Sequence, residues 1–397
     1  MKKNGIFLVI LSLSLLLGLT GAICTGVAQA QTKTLKIGLI ASVTGPLAPA
    51  FKANVEGAKP TADLLNQRGG VTVKGQKYNI EIVTEDDQSS PPGAVAAMNK
   101  LLQEEVKFVI PPMFMPCDMA IAPIAEQAKI LRVKAYGAGN AELNSNTPFY
   151  FYAYTSVYNI PAVHGYMKQK YPKVKKIAVI TPDDPGAKTF QEITRKDFEK
   201  QGYEVVFWEA FRPMTEDFYP ILTKALEKKP DAIDIIVSIV PWSAAIINQS
   251  RELGFKGPIF APCLFGDINV LKGFVQPQYA YDLFHGGPDV MSPRMPQIIK
   301  DLRPFVERTT KTPFDMGHTI TLEAAYAIVK AIEKAQSIDP EVVAKSLESS
   351  KTAETIFGQV KMGGQEIFGL NHAMLRPIAM SRIMKDKVKT EIVANKN

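Results

Sequence analysis

Short apolar runs alternate with amphipathic stretches through most of the chain. Leu35–Ile40, Tyr78–Val83, Phe108–Ile110, Ile177–Ile180, Val205–Trp208, Ile233–Val240 and Ile259–Phe260 are brief and rich in β-branched and aromatic residues, the pattern of buried strands. Between them apolar residues recur at helical spacing, as in Val95, Met98, Leu102 and Val106, or Leu322, Ala325, Val329 and Ile332. Strands alternating with helices predict βαβ units, hence an α/β fold whose parallel sheets are covered on both faces.

The punctuation supports the same elements. Gly69-Gly70 closes the first helical stretch, Gln88-Ser89-Ser90-Pro91-Pro92 opens the second, and Gly202 stands where a helix would end. Pro60 falls inside the first helical pattern, where it should bend the helix or mark a late start. The tyrosine-rich stretch Phe149–Tyr158 interrupts the rhythm, which resumes at Val174, and reads as a crossover between two lobes. At 397 residues the chain exceeds what one core supports, so two Rossmann-like lobes of similar size are expected. No internal repeat is visible.

The first residues change the picture of where the chain works. Met1-Lys2-Lys3, the apolar run Ile6–Leu19 and the small residues ending Ala28-Gln29-Ala30 have the form of a secretory signal peptide, residues 1–30, cleaved after Ala30. A lipid anchor at Cys24 would require a small residue before it, and Ile23 is there instead. No later stretch reaches the roughly 18 uncharged apolar residues of a membrane span, so the mature chain is expected to be periplasmic and not membrane-embedded.

Charge and cysteine content remove further classes. The formal net charge of +7 falls to +5 without Lys2 and Lys3, and the lysine clusters at 173–176 and 385–389 lack interleaved aromatics, so nucleic acid is not an expected partner. Cys117 and Cys263 remain after cleavage, with no CxxC, and His164, His285, His318 and His372 show no metal-ligand spacing. No metal and no cofactor is expected.

In α/β sheets ligands bind beyond the carboxyl ends of strands, so the loops Ser42–Ala48, Pro111–Asp118, Tyr136–Ala141, Pro182–Ala187, Pro241–Ser243 and Pro262–Asp267 should carry the function. They hold no nucleophile elbow, Walker loop, zinc helix or Ser-x-x-Lys. Gly137-Ala138-Gly139 begins like a dinucleotide loop, but Glu142 stands where the third glycine belongs, and a tight turn accounts for both glycines. Asp86 and Asp87 suit turn formation and helix capping better than acid–base work. Cys117 could pair with a histidine as a nucleophile, although an isolated cysteine is more often a small buried hydrophobe. The loops are instead bulky and apolar: Met113, Phe114, Met115, Tyr136, Trp242 and Phe265. Each could be lobe core; their shared place beyond strand ends favours a binding pocket.

Several motifs carry a family resemblance. Ile37-Gly38-Leu39-Ile40 with Thr44-Gly45-Pro46-Leu47-Ala48, Asn66 with Gly69-Gly70-Val71, and Ile80-Glu81-Ile82-Val83 with Glu85-Asp86-Asp87-Gln88 resemble the leucine/isoleucine/valine-binding proteins of ABC importers. Pro112, Ala122-Pro123-Ile124-Ala125-Glu126, Thr215-Glu216-Asp217-Phe218 and Arg251-Glu252-Leu253-Gly254 extend the likeness over nearly all of the mature chain. It implies a type I periplasmic binding fold, two βα lobes joined by three crossovers and closing on a ligand by hinge motion. Lobe 1 would be 31–154 and 285–355, and lobe 2 would be 155–284 and 356–397, including strands around Val360 and Ile378–Met384. The implied partners are a small-molecule ligand and an inner-membrane ABC permease, the protein acting as a monomer without catalysis.

The family's ligand residues transfer poorly. Where the amino-acid binders place a Ser-Gly step, this chain has Met115-Pro116; a Thr aligns with Gly139, a Tyr with Pro185, and the acid that pairs with the α-ammonium group falls near Cys263. A buried ammonium without a counter-ion costs several kcal/mol, so a zwitterion fits poorly unless an unaligned acid such as Asp118 or Asp267 substitutes. The expected pocket is Phe114, Met115, Cys117, Tyr136, Gly137, Gly139, Tyr154, Pro185, Trp242, Cys263 and Phe265, suited to an aromatic or other apolar carboxylate. Backbone N–H groups near Cys117 and Asn140, with Arg132, Lys134 or Arg212, are the candidate carboxylate donors. A branched-chain amino-acid or amide binder, a ligand-sensing subunit of a membrane receptor and, last, a periplasmic hydrolase using Cys117 are the alternatives. Cys117 and Cys263 should be free thiols, because a disulfide between lobes would block opening.

Overall fold

The computed structural model describes residues 32–137, 139–287, 289–384 and 387–393, so the expected signal peptide lies outside the described residues. Two sheets organise the chain. The first has nine strands in the order Thr352–Thr355, Gly358–Gly363, Ala373–Leu375, Tyr150–Tyr152, Leu131–Lys134, Phe108–Ile110, Lys33–Ala41, Gln76–Asp86 and Val71–Val73. Its centre is parallel, and antiparallel hairpins close both edges. The second runs Lys387–Val393, Ile378–Met384, Leu283–His285, Ile259–Ala261, Ala232–Ile235, Lys176–Pro182 and Glu204–Phe211, parallel except for its first two strands. A small parallel pair, Val237–Ile239 with Cys263–Phe265, lies beside it.

Burial on both faces explains the continuous apolar runs. Along Lys33–Ala41, Leu35, Ile37 and Leu39 enter one core and Ile40 the core on the opposite face. Gly38 lets the helix Pro91–Gln103 come close, since a Cβ there would lie 2.6 Å from Leu101 Cδ1. The 20-residue helix Met316–Ala335 supplies much of the first lobe's core. Local signals act where the sequence places them: Ser90 caps the helix that follows it, Gly202 ends Pro185–Gln201 at φ 73°, and Pro60 sits in the first turn of Ala58–Gln67, a second helix that starts after a break at Gly57.

Three crossovers join the sheets: after Tyr150–Tyr152, after Leu283–His285, and at Arg376-Pro377 between Ala373–Leu375 and Ile378–Met384. The expectation differs in detail at two places. The strand holding Val360 pairs in the first sheet rather than with the second lobe. Part of the tyrosine-rich stretch is itself a strand, so the crossing begins only at Ala153.

Candidate functional site

The loops beyond the carboxyl ends of the two parallel sheets meet one another. From the first lobe, Met115 begins the helix Met115–Gln127 and Tyr136 follows the strand Leu131–Lys134. Tyr154, on the first crossover, meets Tyr136 edge to face with ring centroids 5.1 Å apart. Phe265 enters from the second lobe and packs against the cores of both lobes. Cys263 Sγ donates to the Ser156 carbonyl at 3.2 Å.

The lobes also touch at the rim. Thr189 Oγ1 donates to Asn140 Oδ1 at 2.9 Å, and Met115 lies against Gly186, where an added Cβ would come within 3.1 Å of its Cε. Gly139 faces the same helix, because a Cβ there would stand 2.4 Å from Thr189 Oγ1. Pro185 opens that helix, whose start Asp184 caps through the Ala187 N–H. Gly137 belongs to the hinge: its N–H donates to the Tyr154 carbonyl at 2.8 Å and its carbonyl accepts from Thr155 Oγ1 at 3.1 Å.

Behind the tyrosines is a group the sequence reading did not identify. Arg376, on the third crossover, is buried with its guanidinium 3.6 Å from the Tyr154 ring centroid. Its Nε lies 2.9 Å from the Glu323 carboxylate, and its Nη2 donates to the Tyr136 hydroxyl at 3.2 Å. The Tyr136 hydroxyl donates in turn to Met316 Sδ at 3.4 Å, a weak acceptor. Burial pushes the Glu323 carboxyl up to about 7 despite Arg376. Asn159 ties the hinge together, accepting from the Tyr154 hydroxyl and donating to the Pro262 and Gly286 carbonyls. Only the Arg-Pro step between two apolar runs, Leu375-Arg376-Pro377, could have marked this arginine in the sequence.

Other expected residues lie elsewhere. Phe114, half-buried, packs against the first lobe's core beside Ile40, Met98 and Ile121, and Trp242, also half-buried, sits edge-on to Phe211, 5.3 Å away, against the second lobe's core. Arg132 and Lys134 are spent in a buried network: Asp118 accepts from Lys134 at 3.1 Å, from Arg132 at 3.4 Å and from the Tyr150 hydroxyl. Arg132 also reaches Glu126 at 2.5 Å, and Lys134 pairs with Glu142. Arg212 is exposed. Asp86 and Asp87 organise the loop after the first strand, accepting from Thr44 and Ser42 hydroxyls at 2.6 and 2.7 Å.

Both cysteines are buried free thiols. Burial, reinforced by Asp87 and Asp118, pushes the Cys117 thiol up to about 12, and burial raises Cys263 strongly, so neither is a ready thiolate. Among the described residues no cluster of His, Cys, Asp and Glu is placed to hold a metal ion, and no helix is long and apolar enough to cross a membrane.

Two parallel-sheet lobes joined by three crossovers, with a tyrosine pair at the hinge, define a two-lobed α/β protein. The sequence profile of the periplasmic binding protein family matches residues 34–387, and the chain belongs to that family. The leucine-, isoleucine-, valine-, threonine- and alanine-binding protein of Pseudomonas aeruginosa is 25% identical over 331 residues, covering 82% of this chain and 85% of its own. In fold the chain is similar to a leucine binding protein from Thermotoga maritima, with TM-score 0.74 at 22% identity over 91% of this chain and 99% of that one. It is equally similar to an ABC-transporter solute binding protein from R. palustris in complex with 4-hydroxybenzoate, with TM-score 0.73 at 19% identity over 91% and 96% of the two chains.

Proposed function

We propose that this protein is exported to the periplasm, captures a small aromatic or other apolar carboxylate between its lobes, and delivers it unchanged to an inner-membrane ABC permease. The observation that carries this reading is the Tyr136–Tyr154 edge-to-face pair, in a core that Phe265 of the second lobe also packs against. Such walls favour a flat or apolar body through edge and stacking contacts. A carboxylate can take the Tyr136 hydroxyl hydrogen from the Met316 thioether, while Arg376 on the same oxygen strengthens that donor. The protonated, buried state of Cys117 supports binding without turnover.

A branched-chain amino acid is the second reading, favoured by what the Pseudomonas aeruginosa relative is named for. Thermal-shift titration of stripped mature protein separates them. A ligand at about 100 times its dissociation constant adds roughly 2.7 kcal/mol of stability. Stabilisation by aromatic or aliphatic acids is expected; stabilisation by leucine or valine alone overturns the carboxylate reading in favour of the amino acid.

A further inference from the structure

Asp267 is a buried carboxylate with half of its bonding capacity unused. It follows the strand Cys263–Phe265 and caps the helix Ile268–Phe274, its Oδ1 accepting from the Asn269 N–H at 2.7 Å and from Asn269 Nδ2 at 3.0 Å. The residue is 3% exposed, and its Oδ2 has no partner among the described residues. Leaving such an atom dry costs free energy that a bound donor recovers.

It stands beyond the carboxyl end of its strand. Phe265, two residues earlier, packs against the cores of both lobes. Asp315, which caps Met316–Ala335 in the first lobe, and Asp289 both repel Asp267, and burial with these neighbours raises its carboxyl to about 6. The other unaligned acid, Asp118, is occupied by Arg132, Lys134 and Tyr150. Asp87 also has a buried oxygen without a partner, but it lies within the first lobe beside Cys117.

We propose that Asp267 selects the ligand, its Oδ2 accepting a hydrogen bond from an O–H or N–H group on the bound acid. The ligand class is then hydroxylated or aminated carboxylates rather than plain hydrocarbon acids. This rests on the cleft binding a small carboxylate, as proposed above. Tyr136 serves the carboxylate end and Asp267 the donor end, and an acid lacking the donor leaves Oδ2 unpaired.

Calorimetric titration of the mature protein with two matched pairs tests it: 4-hydroxybenzoate against benzoate, and leucine against isocaproate. The donor-bearing member of at least one pair should bind about tenfold or more tightly. Asp267→Ser, which keeps a capping side chain but withdraws the second oxygen, should erase that preference. Asp267→Asn also keeps the cap and separates the sources of the donor: a hydroxyl ligand is retained on the amide oxygen, whereas an ammonium ligand is lost with the charge. Equal affinities within both pairs, or a preference that survives in Asp267→Ser, overturn the role of Asp267 while leaving the carboxylate cleft standing. Binding of leucine alone, with the preference lost in Asp267→Ser, supports Asp267 while overturning the aromatic or apolar carboxylate in favour of the amino acid, and failure of all four overturns both.

Discussion

Thr189 gives its hydroxyl hydrogen to Asn140 at 2.9 Å across the cleft rim, one residue from each lobe. The bond joins the lobes without contributing to either lobe's own core, so under the proposed capture of a ligand between them it adds to affinity. Thr189→Val, which keeps the shape and removes the hydroxyl, should cost about 0.5–1.5 kcal/mol of closure and raise Kd about two- to tenfold. Gly139→Ala should do more, because its methyl would meet Thr189 Oγ1 at 2.4 Å. Small-angle scattering of the ligand-bound variants should show a more open particle; an unchanged Kd and radius in both would refute the latch.

The second lobe contains a pH-dependent stabiliser. His164 is fully buried, with Nδ1 and Nε2 each 2.7 Å from a carboxylate, Asp197 and Asp234. Burial works against the imidazolium, but the two acids outweigh it and raise the pKa from 6.5 to about 9. A pKa raised on folding stabilises while the group is protonated. The contribution is therefore complete below about pH 6.5 and is lost as pH rises through about 9, on the order of 3 kcal/mol in all. Denaturant melts of the wild type across that range should show the decline, and His164→Gln should flatten it at lower overall stability.

Among the strands legible in the sequence, Lys33–Ala41 and Lys176–Pro182 carry continuous apolar residues because both of their faces are buried. Leu131–Lys134 escaped because Leu-Arg-Val-Lys reads as a half-exposed alternation, yet Arg132 and Lys134 are each 1% exposed. Their burial depends on Asp118, Glu126 and Glu142, partners a linear pattern does not bring together. Met115, Tyr136, Tyr154 and Phe265 lie at or beyond strand ends, where the sequence pattern puts them, whereas Phe114 and Trp242 sit on such loops and pack against the cores of their own lobes. Arg376 and Glu323 were invisible, since one lies on a crossover and the other in a helix otherwise read as core.

Cys117 provides a direct check on the absence of thiol chemistry. With its thiol pushed up to about 12 and its side chain enclosed, native protein lacking residues 1–30 should not react with a disulfide reagent at pH 8 over minutes, whereas the same protein denatured should release two equivalents from Cys117 and Cys263. Cys117→Ala should bind ligand as the wild type does. Rapid labelling of native Cys117, or turnover of an ester lost in Cys117→Ala, would restore the hydrolase reading.

The Arg376–Glu323 pair makes the hinge sensitive to which partner is removed. Both are buried, and Arg376 also contacts Tyr136 and Tyr154, so Arg376→Met strands a carboxylate whose pKa is already about 7. Removing one member of a buried pair typically costs about 3–5 kcal/mol, while replacing both with apolar groups of similar size is often near neutral. Arg376→Met should therefore destabilise the protein by about that amount at pH 8 and by less at pH 5.5, where Glu323 is protonated. Glu323→Leu alone should also destabilise, and the double variant should recover much of the loss, giving a strongly non-additive cycle in denaturant melts. The double variant should still bind ligand more weakly than the wild type, because Arg376 no longer polarises the Tyr136 hydroxyl. Recovery of stability with full recovery of affinity would confine the arginine to a structural role.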